Sequence, residues 1–207
     1  MMTLTRLSHL VLAVMVAISC AACASVGRDF NYTNVPSLEI GSLKSEDYHD
    51  IFGKPRNVQM TVNSDGKFED VRFIYAHANI ASASSRVLDL EFRNGKLNAW
   101  LYISGFDEDR TAVDLAGTDK IKKNVSTKSD VQALLGKPHG KAHCPSLLFD
   151  YKDRCHAADI WAWGAVNKLV TLGRNPTETS TIYILFDDNS IVTEIETVQT
   201  TRERRNH

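Results

Sequence analysis

Four cysteines and a few histidines are the residues whose types and spacing could do chemistry in this 207-residue chain. His143-Cys144 and Cys155-His156 could be read as two zinc-ligand pairs. Adjacent residues on an extended chain point to opposite sides, so each pair is poorly placed to chelate one ion. An even pair in an oxidising compartment reads instead as a Cys144–Cys155 disulfide. It would close a short loop, worth roughly 3 kcal/mol in the chain-entropy view, and would stiffen the insertion 139–158. Cys20-Ala-Ala-Cys23 matches a C-x-x-C redox or zinc spacing, but its position in the leader argues for processing chemistry. His49 lies beside Asp50 and near Asp47, yet a general base needs a nucleophile and a pocket, and the sequence displays neither. Asp187-Asp188-Asn189 reads as a hairpin turn, lacking the spacing of a calcium loop. Phosphate-loop, G-x-G-x-x-G, H-E-x-x-H and G-x-S-x-G patterns do not occur. The expectation is therefore a protein without catalytic residues, cofactor or metal, and not an enzyme.

The N-terminus reads as a secretory leader over 1–22. Arg6 precedes an apolar run, Leu10 to Ile18, followed by small residues and cysteine. The run is short for a bilayer span. The Ser19-Cys20-Ala21-Ala22-Cys23 segment resembles a bacterial lipobox, whose cysteine becomes the lipid-bearing first residue. Cleavage before Cys23 leaves the better small pair ahead of it, and cleavage before Cys20 is the alternative. Neither Cys is followed by Asp, so the resemblance implies a lipid-anchored protein of the bacterial outer membrane facing the periplasm. The net charge of −1 gives no sign of nucleic-acid binding. At 43% hydrophobic residues there is material for a core.

Along the rest of the chain, 23–37 reads as a lipidated tether. Tyr48, Ile51 and Phe52 make one face of a short helix, with Ser45 as a candidate cap, and Gly53-Lys-Pro55 stops it. Strands are expected near Val71–Ala76, Arg86–Arg93 and Leu97–Ser104, the last two joined by Asn94-Gly95. The same order recurs downstream. Thr127-x-x-Asp130 resembles a capping box, Val131, Leu134 and Leu135 form the helix face, and Gly136-Lys-Pro138 ends it. Trp161-Ala-Trp163 stands where Phe73-Ile-Tyr75 stood, and an alternating hairpin runs from Thr181 to Val198. An internal duplication follows, with repeats over 38–104 and 118–198 and a basic tail at 199–207.

Capped helix, Leu-Leu-Gly-Lys-Pro, Trp-x-aromatic strand and closing hairpin resemble the SmpA/OmlA (BamE-like) outer-membrane lipoproteins, most closely over 118–198. A tandem pair of such units resembles the β-lactamase inhibitory protein architecture. The resemblance implies an α+β fold of two helix-plus-antiparallel-sheet units, with helices on one side of the sheet. Aromatics on the sheets are the candidate partner-binding residues. Trp100 and Tyr102 share parity opposite Leu97, Ala99 and Leu101, which predicts exposure. Trp161 and Trp163 are open between core and surface. The expected function is non-catalytic protein binding in envelope or outer-membrane protein assembly, with an unnamed envelope protein as partner. The alternative is an inhibitor of a periplasmic or secreted hydrolase such as a β-lactamase.

Overall fold

In the computed structural model, residues 25–62, 68–79, 81–113, 115–149, 158–168 and 177–202 are described. The leader with Cys20 and Cys23, the Asn63–Gly66 turn, Cys155, His156 and the end of the tail lie outside them.

The dominant feature is one antiparallel sheet of nine strands. The strands are β1 Ser25–Gly27, β2 Asn57–Val62, β3 Phe68–Asn79, β4 Ser84–Arg93, β5 Lys96–Ser104, β6 Gly140–His143, β7 Asp159–Lys168, β8 Thr177–Phe186 and β9 Val192–Arg202. Strands β3 to β9 lie side by side in chain order, and β1 and β2 share the outer edge of β3. The helices are short: α1 Tyr48–Phe52, α2 Lys128–Leu135, and 3₁₀ turns at Tyr32–Ser37 and Leu115–Lys120. This corrects the expected fold class. The chain is mainly β with a single continuous sheet, and not an α+β pair of separate units. The cause is β6. Four residues, Gly-Lys-Ala-His, pair with β5 on one side and β7 on the other and weld the halves together. By sequence alone they fall inside the insertion 139–158.

Local chemistry explains the elements. Asn94 and Gly95 both take positive φ, 49° and 76°, as a two-residue hairpin turn requires. Gly53 and Gly136 end the two helices at φ 80° and 76°, a region where a side chain is strained. In each half an aromatic side chain of the facing strand holds the Gly carbonyl. The Tyr75 hydroxyl donates to Gly53 O at 3.1 Å, and Trp163 Nε1 donates to Gly136 O at 3.3 Å. Other bonds recur likewise. Ser45 N reaches Gly95 O and Lys128 N reaches Ser190 O; Leu97 N reaches Leu43 O and Val192 N reaches Ser126 O. The helix starts differ. α2 has a complete capping box from Thr127 and Asp130, whereas α1 starts at Asp47 without a side-chain cap, so Ser45 does not cap it. Replacing Thr127 with Ala should cost about 1 kcal/mol, read as a lower urea midpoint at unchanged slope.

Each sheet face carries a buried cluster. On the helical face, Phe73, Tyr75, Leu88, Leu90, Phe92, Leu97, Trp100 and Tyr102 pack under α1 and the 30–43 segment. Val131 of α2 packs there with Trp163, Ile182, Ile184, Phe186 and Val192. On the reverse face, Phe149 and Leu148 fold over Ala99, Ala142, Ile160, Ala162 and Leu185. Residues 25–37 are not a free tether. β1 pairs with β3, and Phe30 and Val35 are buried.

Candidate functional site

The weld at β6 creates a cleft on the helical face. It lies between the 32–39 segment and the end of α2, over side chains of β5 and β6. Its volume is about 610 Å³. Trp100 and Tyr102 of β5 form the floor beside His139 and Lys141. One wall is the 32–39 segment with Tyr32, Val35, Pro36 and Leu38; the other is the end of α2 with Gln132, Lys137 and Pro138. A smaller hollow of about 220 Å³ shares Glu39 and Lys141 and continues to Trp161, Lys128 and Asp159. The surface is thus a groove with aromatic and proline walls and charged rims, the composition that concentrates binding energy in contacts with another chain.

The parity of Trp100 and Tyr102 corrects the sequence reading. Both are buried, at 4% and 6% exposure, and they contribute the bottom of the cleft instead of an open face. A β-bulge explains the difference. Phe92 pairs with Leu97 but Glu91 pairs with Ala99, so Asn98 is the extra residue. The bulge reverses parity along β5. Leu97 then shares the helical face with Trp100 and Tyr102, while Ala99 and Leu101 turn to the reverse face. Trp163 is core, 1% exposed. Trp161 is half-buried against Phe186, at 5.2 Å between ring centroids, with the Lys141 ammonium 5.3 Å and the Lys128 ammonium 5.9 Å from its ring.

One end of the cleft is fixed by a buried charge system. Tyr102 donates its hydroxyl to Asp109, which also accepts from Ser104 Oγ at 2.7 Å. Burial, and then that carboxylate, push the Tyr102 hydroxyl far up, so it stays a proton donor. Asp109 faces Arg86, which is 2% exposed and also meets Glu108 at 2.6 Å and Asp29 at 3.4 Å. The guanidinium is held between the rings of Tyr32 and Phe106, at 4.0 and 4.3 Å, and His77 stacks beyond Phe106 at 5.6 Å. Burial alone would lower the Arg86 pKa, but the carboxylates and the tyrosine oxygen hold it raised. At the other end, Lys128 and His143 both engage Asp159, the latter at 3.0 Å, and together they outweigh its burial and keep its pKa below the usual range.

His139 ties the floor together. Its backbone bonds Tyr102 N and Ala162 O, and its Nδ1 lies 2.9 Å from Gly164 O and 3.1 Å from Gly164 N. Burial lowers its pKa below the model-peptide value near 6.5, partly opposed by the Gly164 carbonyl. The unfolded chain therefore binds the proton more readily. This stability term is complete above the unfolded pKa and is lost as pH falls below about 6.5 toward the folded value. His139→Gln should lose less stability than the parent chain between about pH 7.5 and 5 in urea titrations. Equal pH slopes in the two chains would refute this.

The remaining sequence candidates are scattered. His49 is on the exposed side of α1, distant in its role from the cleft. The Asp187 carboxylate bonds the Asn189 and Ile191 amides and so shapes a turn. His143 is engaged by Asp159, and no group of three or more metal-ligating side chains occurs among the described residues. Cys144 is disulfide-bonded, and Cys155 lies outside the described residues. The sequence reading missed Arg86, His139 and Lys141. A charged residue at the start of an alternating apolar strand was the one signal for Arg86.

A scan against protein-family models finds no match, and a search of curated proteins finds none, so neither supports the SmpA/OmlA resemblance. Among solved structures, a proposed β-lactamase inhibitor protein from Streptococcus mutans is similar at a TM-score of 0.45 and 12% identity, over 80% of this chain and 93% of that one.

Proposed function

We propose that this chain is a non-catalytic protein-binding module whose seam cleft takes an extended, largely apolar segment of an envelope protein. The observation that carries the reading is the cleft itself: a floor of Trp100 and Tyr102 between walls of Tyr32, Pro36, Leu38 and Pro138, with Lys137 and Lys141 at the rim. Tyr102 and His139 of the floor are held by buried bonds, so little of their ordering cost is left for the binding step. We place the module at the periplasmic side of the outer membrane, held by a lipid on Cys23, with Cys20 as the alternative, and we pair Cys144 with Cys155. Mass spectrometry of the mature N-terminus tests the first, and non-reducing peptide mapping the second.

Photo-crosslinking in envelopes tests the cleft. A crosslinker at Lys141 should capture a specific protein, and one at Val87, which is exposed away from the cleft, should not. Lys137→Glu should reduce capture from position 141 without altering the fold, because Lys137 is exposed. Equal capture from positions 141 and 87, or unchanged capture in the Lys137→Glu variant, sinks the cleft as the binding site. A captured hydrolase that loses activity on binding would place the chain among inhibitors.

A further inference from the structure

We infer that β2 pairs edge to edge with β2 of a second copy of this chain, antiparallel and centred on Met60. β2 pairs with β3 on one side and with no strand among the described residues on the other. Residues 57–61 are all exposed, including Val58 at 40% and Met60 at 57%. Proteins ordinarily blunt such an edge with charged residues or proline. The opposite edge follows that rule, since β9 carries Glu194 and Glu196. β2, Asn-Val-Gln-Met-Thr-Val, has no charge along its whole length.

Its pattern is complementary to itself. Centring the pair on Met60 sets Met60 against the partner's Met60, Val58 against the partner's Val62 and Gln59 against the partner's Thr61. Apolar positions meet apolar ones and polar meet polar, with no like charges opposed. A one-residue shift sets Met60 against Gln59 or Thr61, and a two-residue shift toward Gln59 sets Arg56 against Val62. The apolar row is continuous with the core. Val58 lies opposite Phe73 and Met60 opposite Val71 on β3. Pairing would carry that row, and the hydrogen-bond ladder, across the two-fold axis without touching the seam cleft.

The test is cysteine crosslinking of the full chain, detergent-solubilised from membranes. Met60→Cys should give a reducible covalent dimer on mild oxidation, because directly opposed residues bring their Cβ atoms to about 5 Å. Gln59→Cys and Thr61→Cys should give about tenfold less, since neither is opposite itself, and the parent chain controls for its native cysteines. Independently, Met60→Lys should weaken the association at least about tenfold in sedimentation while leaving the circular dichroism unchanged, because it opposes like charges at an exposed site. Equal crosslinking at 59, 60 and 61 overturns the inference. So does a parent chain that stays monomeric at every concentration sedimentation can read. A Met60→Cys adduct to a different protein, with the chain itself monomeric, also overturns it.

Discussion

Gly140→Val should unfold the seam and cost on the order of 3 kcal/mol. A Cβ at Gly140 would lie 2.7 Å from Trp100 O, 2.9 Å from Leu101 Cδ1 and 3.2 Å from Leu101 Cα. The leucine tip can move, but the other two atoms belong to the neighbouring strand. β6 must therefore retreat from β5. Their contact is three residue pairs long, Ala99–Ala142, Trp100–Lys141 and Leu101–Gly140, with the Tyr102 N to His139 O bond beyond its end. A shift at one pair of so short a ladder disturbs all of it, and it opens Ala99 and Ala142 to water. The expected readout is a lower urea midpoint, with loss of amide protection at Tyr102 and of capture from Lys141. Gly164→Ala is the control. Its Cβ would meet Ile103 Cδ1 at 2.7 Å and Cγ1 at 2.9 Å, both in a side chain that can rotate, so its cost should be clearly smaller. If Gly140→Val were as stable as Gly164→Ala, β6 would not be the weld.

That dependence on four residues shows where the sequence is readable and where it is not. Elements that carry their own local chemistry are legible. Asn94-Gly95 makes its turn, Thr127 and Asp130 cap α2, and the two Gly-Lys-Pro segments stop their helices. Each depends on residues within a few positions of one another. β6 has no such signature. Its alternation is short, and it is a strand because β5 and β7 supply partners on both sides. The joining of two expected units into one mainly β sheet was therefore hidden. The Asn98 bulge was hidden for a related reason. Parity arguments assume an unbroken period of two, and one extra residue transfers Trp100 and Tyr102 from the expected open face to the cleft floor. The cleft was legible only in part: its aromatics were singled out, but its shape depends on β6 and on the 32–39 segment, which read as a tether.

Glu91 shows the same limit on the reverse face, and its removal should be among the most damaging single changes. In the alternating strand it stands opposite in parity to Leu88 and Leu90, the side that reads as wet. It is fully buried. Its carboxylate accepts from Asn98 Nδ2 at 2.9 Å, Ser146 Oγ at 2.8 Å and Leu148 N at 2.8 Å, and Arg93 Nη2 stands 3.7 Å away. One side chain thus ties β4 to the bulge of β5 and to the segment that covers Ala99, Ala142, Ile160 and Ala162. Glu91→Ala removes the shared acceptor from several donors at once, and leaves the Leu148 N–H with the longer bond to Ser146 Oγ at 3.2 Å. The expected loss is about 3–5 kcal/mol, the range for breaking a buried, hydrogen-bonded charge. Glu91→Gln preserves the volume but sets an amide N–H₂ against donors, so it should fall between Ala and the parent. Urea unfolding gives the magnitude, and hydrogen exchange at the Leu148 amide gives the location. A loss below about 1 kcal/mol for Glu91→Ala, with Leu148 still protected, would mean that the 144–149 segment is held by the packing of Leu148 and Phe149 alone.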